Sequence, residues 1–441
     1  MIIWVMGALL ILSFAIFAVY AMKGGNLTIG FFVQTIVWLL IYFLGVAFGV
    51  GKPFDFVEDI FAQPALTYGP TIIQIVCGAW FGRVLVDTGI AASISYRTAK
   101  VGEKNPVLAT ICMAAVTCLI FTSAYGVGSA IAIGVILFPI LGRLGVPKRV
   151  AVPVFTLSIG AAMWVNSVLF VQFAAFYQDY KSPDGSVVEW GTHYLRFGIA
   201  ALLVQMLGVI IFILINSKAI KNGTPYEVGD PDEQPTDIPD VPIWTYIMPI
   251  VPVALCIVLQ WNAVPALMLA TILTFAFTGH MKSIKEFGAM LNSTAKTAIG
   301  DIGPLIIMLL VLRFFQEIAV TVMKDFGPIL TPLIPNSTFI LGLAFCILAP
   351  LALFRGPLEL YGAGSAVISI FMATGMFNAW FLFALLVVPS MTCISSCITQ
   401  SWNTWSVGYT GLEPKTFLKN GVPVYWACTF PIMGLAGLLL F

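Results

Sequence analysis

Charge is what this sequence has least of. Of its 441 residues, 9% are charged and 60% are hydrophobic. A soluble globular chain carries about 25% charged residues, so a soluble fold is excluded. Histidine is nearly missing as well: His193 and His280 are the only two, and they stand far apart. Neither a His-Glu-x-x-His pattern nor a G-x-x-x-x-G-K-[ST] loop occurs, which leaves a zinc protease or a P-loop ATPase without support. A formal net charge of +1 gives no hint of a nucleic-acid partner. The eight cysteines (Cys77, Cys112, Cys118, Cys256, Cys346, Cys393, Cys397, Cys428) all lie inside apolar stretches, where a thiol packs as a small residue, and no disulfide framework is expected. Cys393 and Cys397 share a helix face, but two thiols without histidine make a poor metal site. The N-terminal MIIWVMGALL lacks a basic n-region and a small-residue cleavage site, so it reads as a first span.

What is abundant is apolar sequence in runs near ~20 residues, each long enough to cross a hydrocarbon core of about 30 Å. The expected fold class is an all-α polytopic membrane protein. In the first half, spans fall at about 3–20, 28–50 and 71–87, then a long apolar stretch at 106–142, then 150–171 and 197–217. An acidic, proline-rich linker, 218–243, follows. The second half repeats the order: 244–261, 263–279 and 300–318, a long stretch at 338–374, then 379–400 and 420–441. The chain therefore divides into repeat one (1–217) and repeat two (244–441).

Local matches support the duplication. YGVGSA begins at Tyr125 and YGAGSA at Tyr361, one in each long stretch. Arg83 and Asp87 stand four apart in the third span of the first half, and Arg313 and Glu317 do so in the second. MWVNS (163–167) is answered by QSWNT (400–404). Basic residues flank the first long stretch on both sides: Arg97, Lys100 and Lys104 before it, Arg143, Lys148 and Arg149 after it. With lysine and arginine on the cytoplasmic side, the stretch enters and returns on one side as a re-entrant hairpin, broken at 125–130. Five crossings per half invert the second repeat, whose hairpin breaks at 355–366. The linker is then cytoplasmic. Each repeat is expected to hold about five transmembrane helices and one hairpin, the inverted-repeat arrangement that places a substrate near the midplane.

The breaks are the expected site. Unwound backbone survives at membrane depth only where protein or a watery cavity satisfies it. Free N–H groups at a half-helix start favour an anion. The candidate substrate-binding residues are Tyr125, Gly126, Gly128 and Ser129 in the first break and Tyr361, Gly362, Gly364 and Ser365 in the second. Arg355, just before the second motif, is the candidate partner for a substrate carboxylate. Asn166 and Ser167 after the first hairpin, and Gln400 and Asn403 after the second, add polar groups. Asp87, Glu317, Glu359 and Thr399 are candidates for coupling a proton or an ion. A charge at mid-membrane costs about 2.5–3.5 kcal/mol on the insertion scale, so each needs a partner or a role. Trp402 and Trp405 read as interfacial-belt residues.

IIQIVCGAWFGRVLVDTGIAASI and FRGPLELYGAGSAV resemble the third-span and second-hairpin segments of the gluconate permease family, within the ion transporter superfamily. Gly82, Arg83, Asp87, Thr88 and Gly89 carry the first likeness and Arg355 the second. The resemblance implies cation-coupled uptake of an organic anion such as a sugar acid or a di- or tricarboxylate. It also implies a homodimer with an elevator-like moving domain in the cell (inner) membrane. The chain departs from that family in lacking an acidic residue beside Tyr125 and a histidine- and proline-rich segment after the hairpin. The expected function is thus H⁺- or Na⁺-coupled symport by alternating access, with no cofactor and no resident metal beyond a transported sodium ion. The alternatives are a cation/proton antiporter working through Asp87, Glu317 and Glu359, and a membrane-embedded enzyme. For the last there is no catalytic grouping, so an enzyme is not expected.

Overall fold

A computed structural model describes residues 2–23, 25–101, 105–228, 241–330, 332 and 334–441. Lys104, and residues 229–240 of the expected linker, lie outside the described residues. Among the described residues the regular structure is entirely helical. The first half comprises α1 (Ile2–Met22), α2 (Leu27–Ala47), α3 (Gln63–Thr67), α4 (Gly69–Asp87), α5 (Ile90–Val101), α6 (Pro106–Phe121), α7 (Val127–Arg143), α8 (Lys148–Ala162), α9 (Ser167–Ala174), α10 (Thr192–Ile215) and α11 (Ser217–Lys221). The second comprises α12 (Val251–Val258), α13 (Ala263–Phe277), α14 (Ile284–Leu330), α15 (Thr338–Ile347), α16 (Gly364–Thr374), α17 (Ala379–Ile394), α18 (Ser401–Thr410) and α19 (Pro414–Leu439).

The same capping chemistry starts corresponding helices in the two halves. An Asn side chain accepts the first free amides of α2 (Asn26 from Ile29) and of α13 (Asn262 from Val264). The first hairpin arm, α6, begins at Asn105 with Pro106 behind it, and its counterpart α15 begins at Ser337. Such caps are each worth about 1 kcal/mol, and Pro at the first position costs nothing because its missing N–H has no helical partner there.

Polarity sorts the helices. Among the described residues, seven helices are long and apolar enough to span a membrane. α1, α2 and α10 turn rows of Leu and Ile outward: Ile11, Leu12, Leu40, Leu203 and Leu207 are all exposed. An apolar surface of this kind belongs in lipid, and the chain is a multi-pass membrane protein. At the centre, every residue of α17 and nearly every residue of α8 is buried. A helix apolar on all sides is a core helix. Each half's second span packs on the other half's third, α2 on α14 and α13 on α4. That reciprocal exchange is what two copies of one design around a pseudo-two-fold axis produce.

Several expectations are corrected. The spans at 150–171 and 379–400 are not continuous: a 3-10 turn and Asn166 separate α8 from α9, and residues 395–400 separate α17 from α18. The third span of the second half is not 300–318 alone but part of the 47-residue α14, roughly 70 Å long at 1.5 Å per residue. A helix, α5, occupies 90–101, where no element was expected. It starts after Gly89, whose φ of +80° favours glycine. Trp402 is not a belt residue: it is buried, edge-on to Tyr125 at 6.3 Å between ring centroids.

Candidate functional site

Both long apolar stretches are interrupted helices. In the first, α6 ends at Phe121 and α7 starts at Val127, with Gly126 at φ +100° between them. In the second, α15 bends by 58° into a 3-10 turn that ends at Arg355, and α16 starts at Gly364. Phe354 and Arg355 there take left-handed backbone, φ +58° and +62°, which is strained for residues with a side chain. Gly128 therefore lies in the first turn of a half-helix, and Gly364 opens another.

The first break is braced by Asn166. Its Nδ2 donates to the Phe121 and Ala124 carbonyls, both at 3.0 Å, while its Oδ1 accepts the Val168 and Leu169 amides of α9. All of this carboxamide's main bonding capacity is used by backbone. Gly82 of α4 admits the break: a Cβ there would stand 2.9 Å from Ala124 Cα. Asp301 of α14 comes up against Gly128, with Oδ2 2.5 Å from where a Cβ would be. A carboxylate so placed faces the positive end of α7.

In the second break, Ser390 of α17 accepts the Leu360 amide at 3.0 Å and donates to the Leu358 carbonyl at 3.1 Å. Arg355 Nη1 meets Glu359 Oε1 at 3.2 Å, and Nη2 reaches Gln400 Oε1 at 3.5 Å. Glu359 is 3% exposed, and its Oε2 has no hydrogen-bond partner among the described residues, although the Tyr361 amide lies beside the carboxylate. Phe354 N–H donates to Cys397 Sγ, which lies 3.0 Å from Thr399 Oγ1. Asn403 ties the break after α17, donating to the Ile394 and Cys397 carbonyls. Gly362 and Gly364 pack so closely on the backbone of Arg355 and Glu359 that a side chain would not fit. Ser129 and Ser365 donate to their own motifs, to Tyr125 O and Gly362 O.

The two duplicated motifs meet at one atom. Tyr125 and Tyr361 each donate a phenolic hydrogen to Gln172 Oε1, both at 3.1 Å. Tyr361 also stacks on Phe173 at 5.0 Å. The Arg355 carbonyl accepts the Ala363 amide at 3.2 Å, which holds Arg355 in the same turn as Tyr361. Tyr125, Tyr361, Arg355, Glu359, Gln400 and Thr399 are thus one neighbourhood, assembled from both hairpins and the breaks that follow them.

The other acids lie apart. Asp87 pairs with Arg83 at 2.8 Å, both partly exposed. No hydrogen bond or ion pair among the described residues joins them to the tyrosine cluster. Glu317 pairs with Arg313 at 2.5 Å, and Asp179 pairs with the same guanidinium. Arg313 is 4% exposed and also bonds Gln316, whose Nε2 donates to the Phe176 carbonyl. These side chains, with Lys181 and Lys324, line a cavity of about 310 Å³. Ser167 contributes its carbonyl, which accepts from Gln74 at 3.3 Å.

Sequence reasoning missed Gln172, Ser390, Asp179 and Asp301. For Gln172 a signal existed: a carboxamide in the apolar run SVLFVQFAAF costs free energy unless it finds partners. No group of three or more His, Cys, Asp or Glu able to hold a metal occurs among the described residues.

No family model matches the chain, and no curated protein matches it. A solved structure does: the YdaH transporter of Alcanivorax borkumensis, described as having an unusual topology, with a TM-score of 0.55 at 12% identity over 82% of this chain and 84% of that one. At that identity the likeness is one of fold. The fold is one that a membrane transporter uses, and the likeness does not extend to gluconate permeases in particular.

Proposed function

We propose that the protein is a secondary active transporter that moves a small organic anion together with H⁺ or Na⁺. The observation that carries the reading is the meeting of two broken hairpins at Gln172, with Glu359 buried against a half-buried Arg355 in the second break. A break that exposes main-chain donors suits a carboxylate, and Arg355 adds a full positive charge. Glu359, with one carboxylate oxygen unpartnered, is suited to take a proton. Asn166 and Asn403 act as braces of the breaks, and Arg355, Gln400 and the motif residues contact the cargo. Sugar acids and di- or tricarboxylates are the substrate class.

Two or more cations per monoanion would make uptake electrogenic, drawing about 2.3 kcal/mol per charge per 100 mV of membrane potential. Movement of both hairpins against α1, α2, α12 and α13 would give alternating access. A homodimer in the inner membrane, with the linker cytoplasmic, completes the proposal.

Counterflow in proteoliposomes tests it. Preloaded succinate, citrate or gluconate should exchange with labelled external acid in at least one case, and Arg355→Ala should abolish that exchange. Cation flux that no acid stimulates would instead favour a cation/proton antiporter, the second reading that the unpartnered Glu359 oxygen supports.

A further inference from the structure

We propose that Gln172 has two jobs: its carboxamide oxygen ties the two hairpins together, and its –NH2 binds an oxygen of the transported carboxylate. The proposal rests on the organic-anion reading above and deepens it.

Gln172 is fully buried on α9. A carbonyl oxygen has two lone pairs, and here both are taken, one by Tyr125 and one by Tyr361. Those tyrosines hold equivalent places in the duplicated motif, so a single atom senses both breaks. The other end of the carboxamide is different. Nε2 carries two hydrogens and has no partner among the described residues, although buried donors are almost always bonded. Turned end for end, the group would give both hydrogens to the phenolic oxygens. It would then leave its own oxygen and two phenolic hydrogens unmet, a worse balance.

The chemistry of the missing partner follows. It must accept hydrogen bonds, and it must tolerate Arg355, which is held in the same break as Tyr361. A carboxylate oxygen meets both conditions and a cation meets neither. With the substrate bound, the same side chain would report occupancy to both hairpins through the two phenols.

Two variants of the full chain, purified in detergent, separate the roles. Gln172→Leu removes acceptor and donor. Gln172→Glu keeps the acceptor and, when ionised, has no hydrogen to give. Hydrogen exchange at 121–128 and 356–364 reads the tie. Thermal shift with succinate, citrate and gluconate reads the donor. We expect Gln172→Leu to raise exchange about tenfold or more at both breaks together and to lose any acid-induced shift. We expect Gln172→Glu to keep both breaks protected and to lose the shift at about pH 8. The shift should return near about pH 5.5, because burial raises a carboxyl's pKa and its protonated form can donate again. Opening of one break only, or of neither, in Gln172→Leu overturns the tie. A wild-type-like shift of Gln172→Glu at the higher pH overturns the donor role. A wild type that none of the acids stabilises defeats the organic-anion reading and the donor role with it, and the exchange result still judges the tie separately.

Discussion

The two breaks carry nearly the same six letters and are built for different work. The first is short and neutral, turns on one glycine, and has its carbonyls held by Asn166. The second is longer, contains an ion pair, and forces left-handed backbone on Phe354 and Arg355. Strain is tolerated where surrounding structure over-determines it, here by Cys397, Ser390 and the close-packed glycines. The comparison teaches that near-identical motifs can be held in different ways, and on the function proposed above the first break is the frame and the second carries the chemistry.

The sharpest way to break that contrast is Arg355→Ala. It leaves Glu359 buried without its cation, a loss of about 3–5 kcal/mol in comparable pairs. Thermal unfolding in detergent should show it, and the double variant Arg355→Ala/Glu359→Ala should recover much of the difference. An unchanged midpoint for the single variant would mean the pair is not buried as described. Asn166→Ala comes next. It removes a helix cap worth about 1 kcal/mol and strands two carbonyls at about 1–3 kcal/mol in all. Its exchange signature should appear at 121–126 and at the Val168 and Leu169 amides and leave 356–364 untouched. Gly82→Ala should then cost about 1–3 kcal/mol by overpacking against the Ala124 backbone, again in the first break alone. Arg83→Leu should be small, about 0.5 kcal/mol, since its pair with Asp87 is partly exposed.

The smallest effect is one of pH. Ser182, Ser186 and the Ser186 amide hold the Asp184 carboxyl down at about 2, below the usual ~3.9. The same serines accept the Ala379 amide at the start of α17. A depressed carboxyl contributes stability above its unfolded pKa and loses it as pH falls. The protection of the Ala379 amide, with the intrinsic pH dependence of exchange divided out, should therefore fall as pH drops from about 4 to about 2, and the change should be absent in Asp184→Asn.

Much of this frame is legible in the letters. Asn105–Pro106 and the glycine motif announce the first hairpin, and the i,i+4 spacing of Arg83–Asp87, Arg313–Glu317 and Arg355–Glu359 gives three pairs that all form. The interruptions after α8 and α17 were harder. Neither MWVNS nor SSCITQSW contains glycine or proline, the usual punctuation. Asn166 does carry the cap signal, but its amide reads equally well as a ligand-binding group, and only the fold shows it spent on Phe121, Ala124, Val168 and Leu169. Gln172 is half legible: a lone carboxamide in SVLFVQFAAF signals that partners are needed, but those partners, Tyr125 and Tyr361, come from segments far apart in sequence, and spacing does not encode that.

The reciprocal seating of α2 on α14 and of α13 on α4 has a consequence for biogenesis. α2 and α4 of the first half each have one face that a second-half helix covers, so during synthesis we expect those two faces to stay uncovered until the second half emerges. Cutting the chain between the halves and supplying both pieces should restore the protein, whereas either piece alone should be cleared by the cell's quality control.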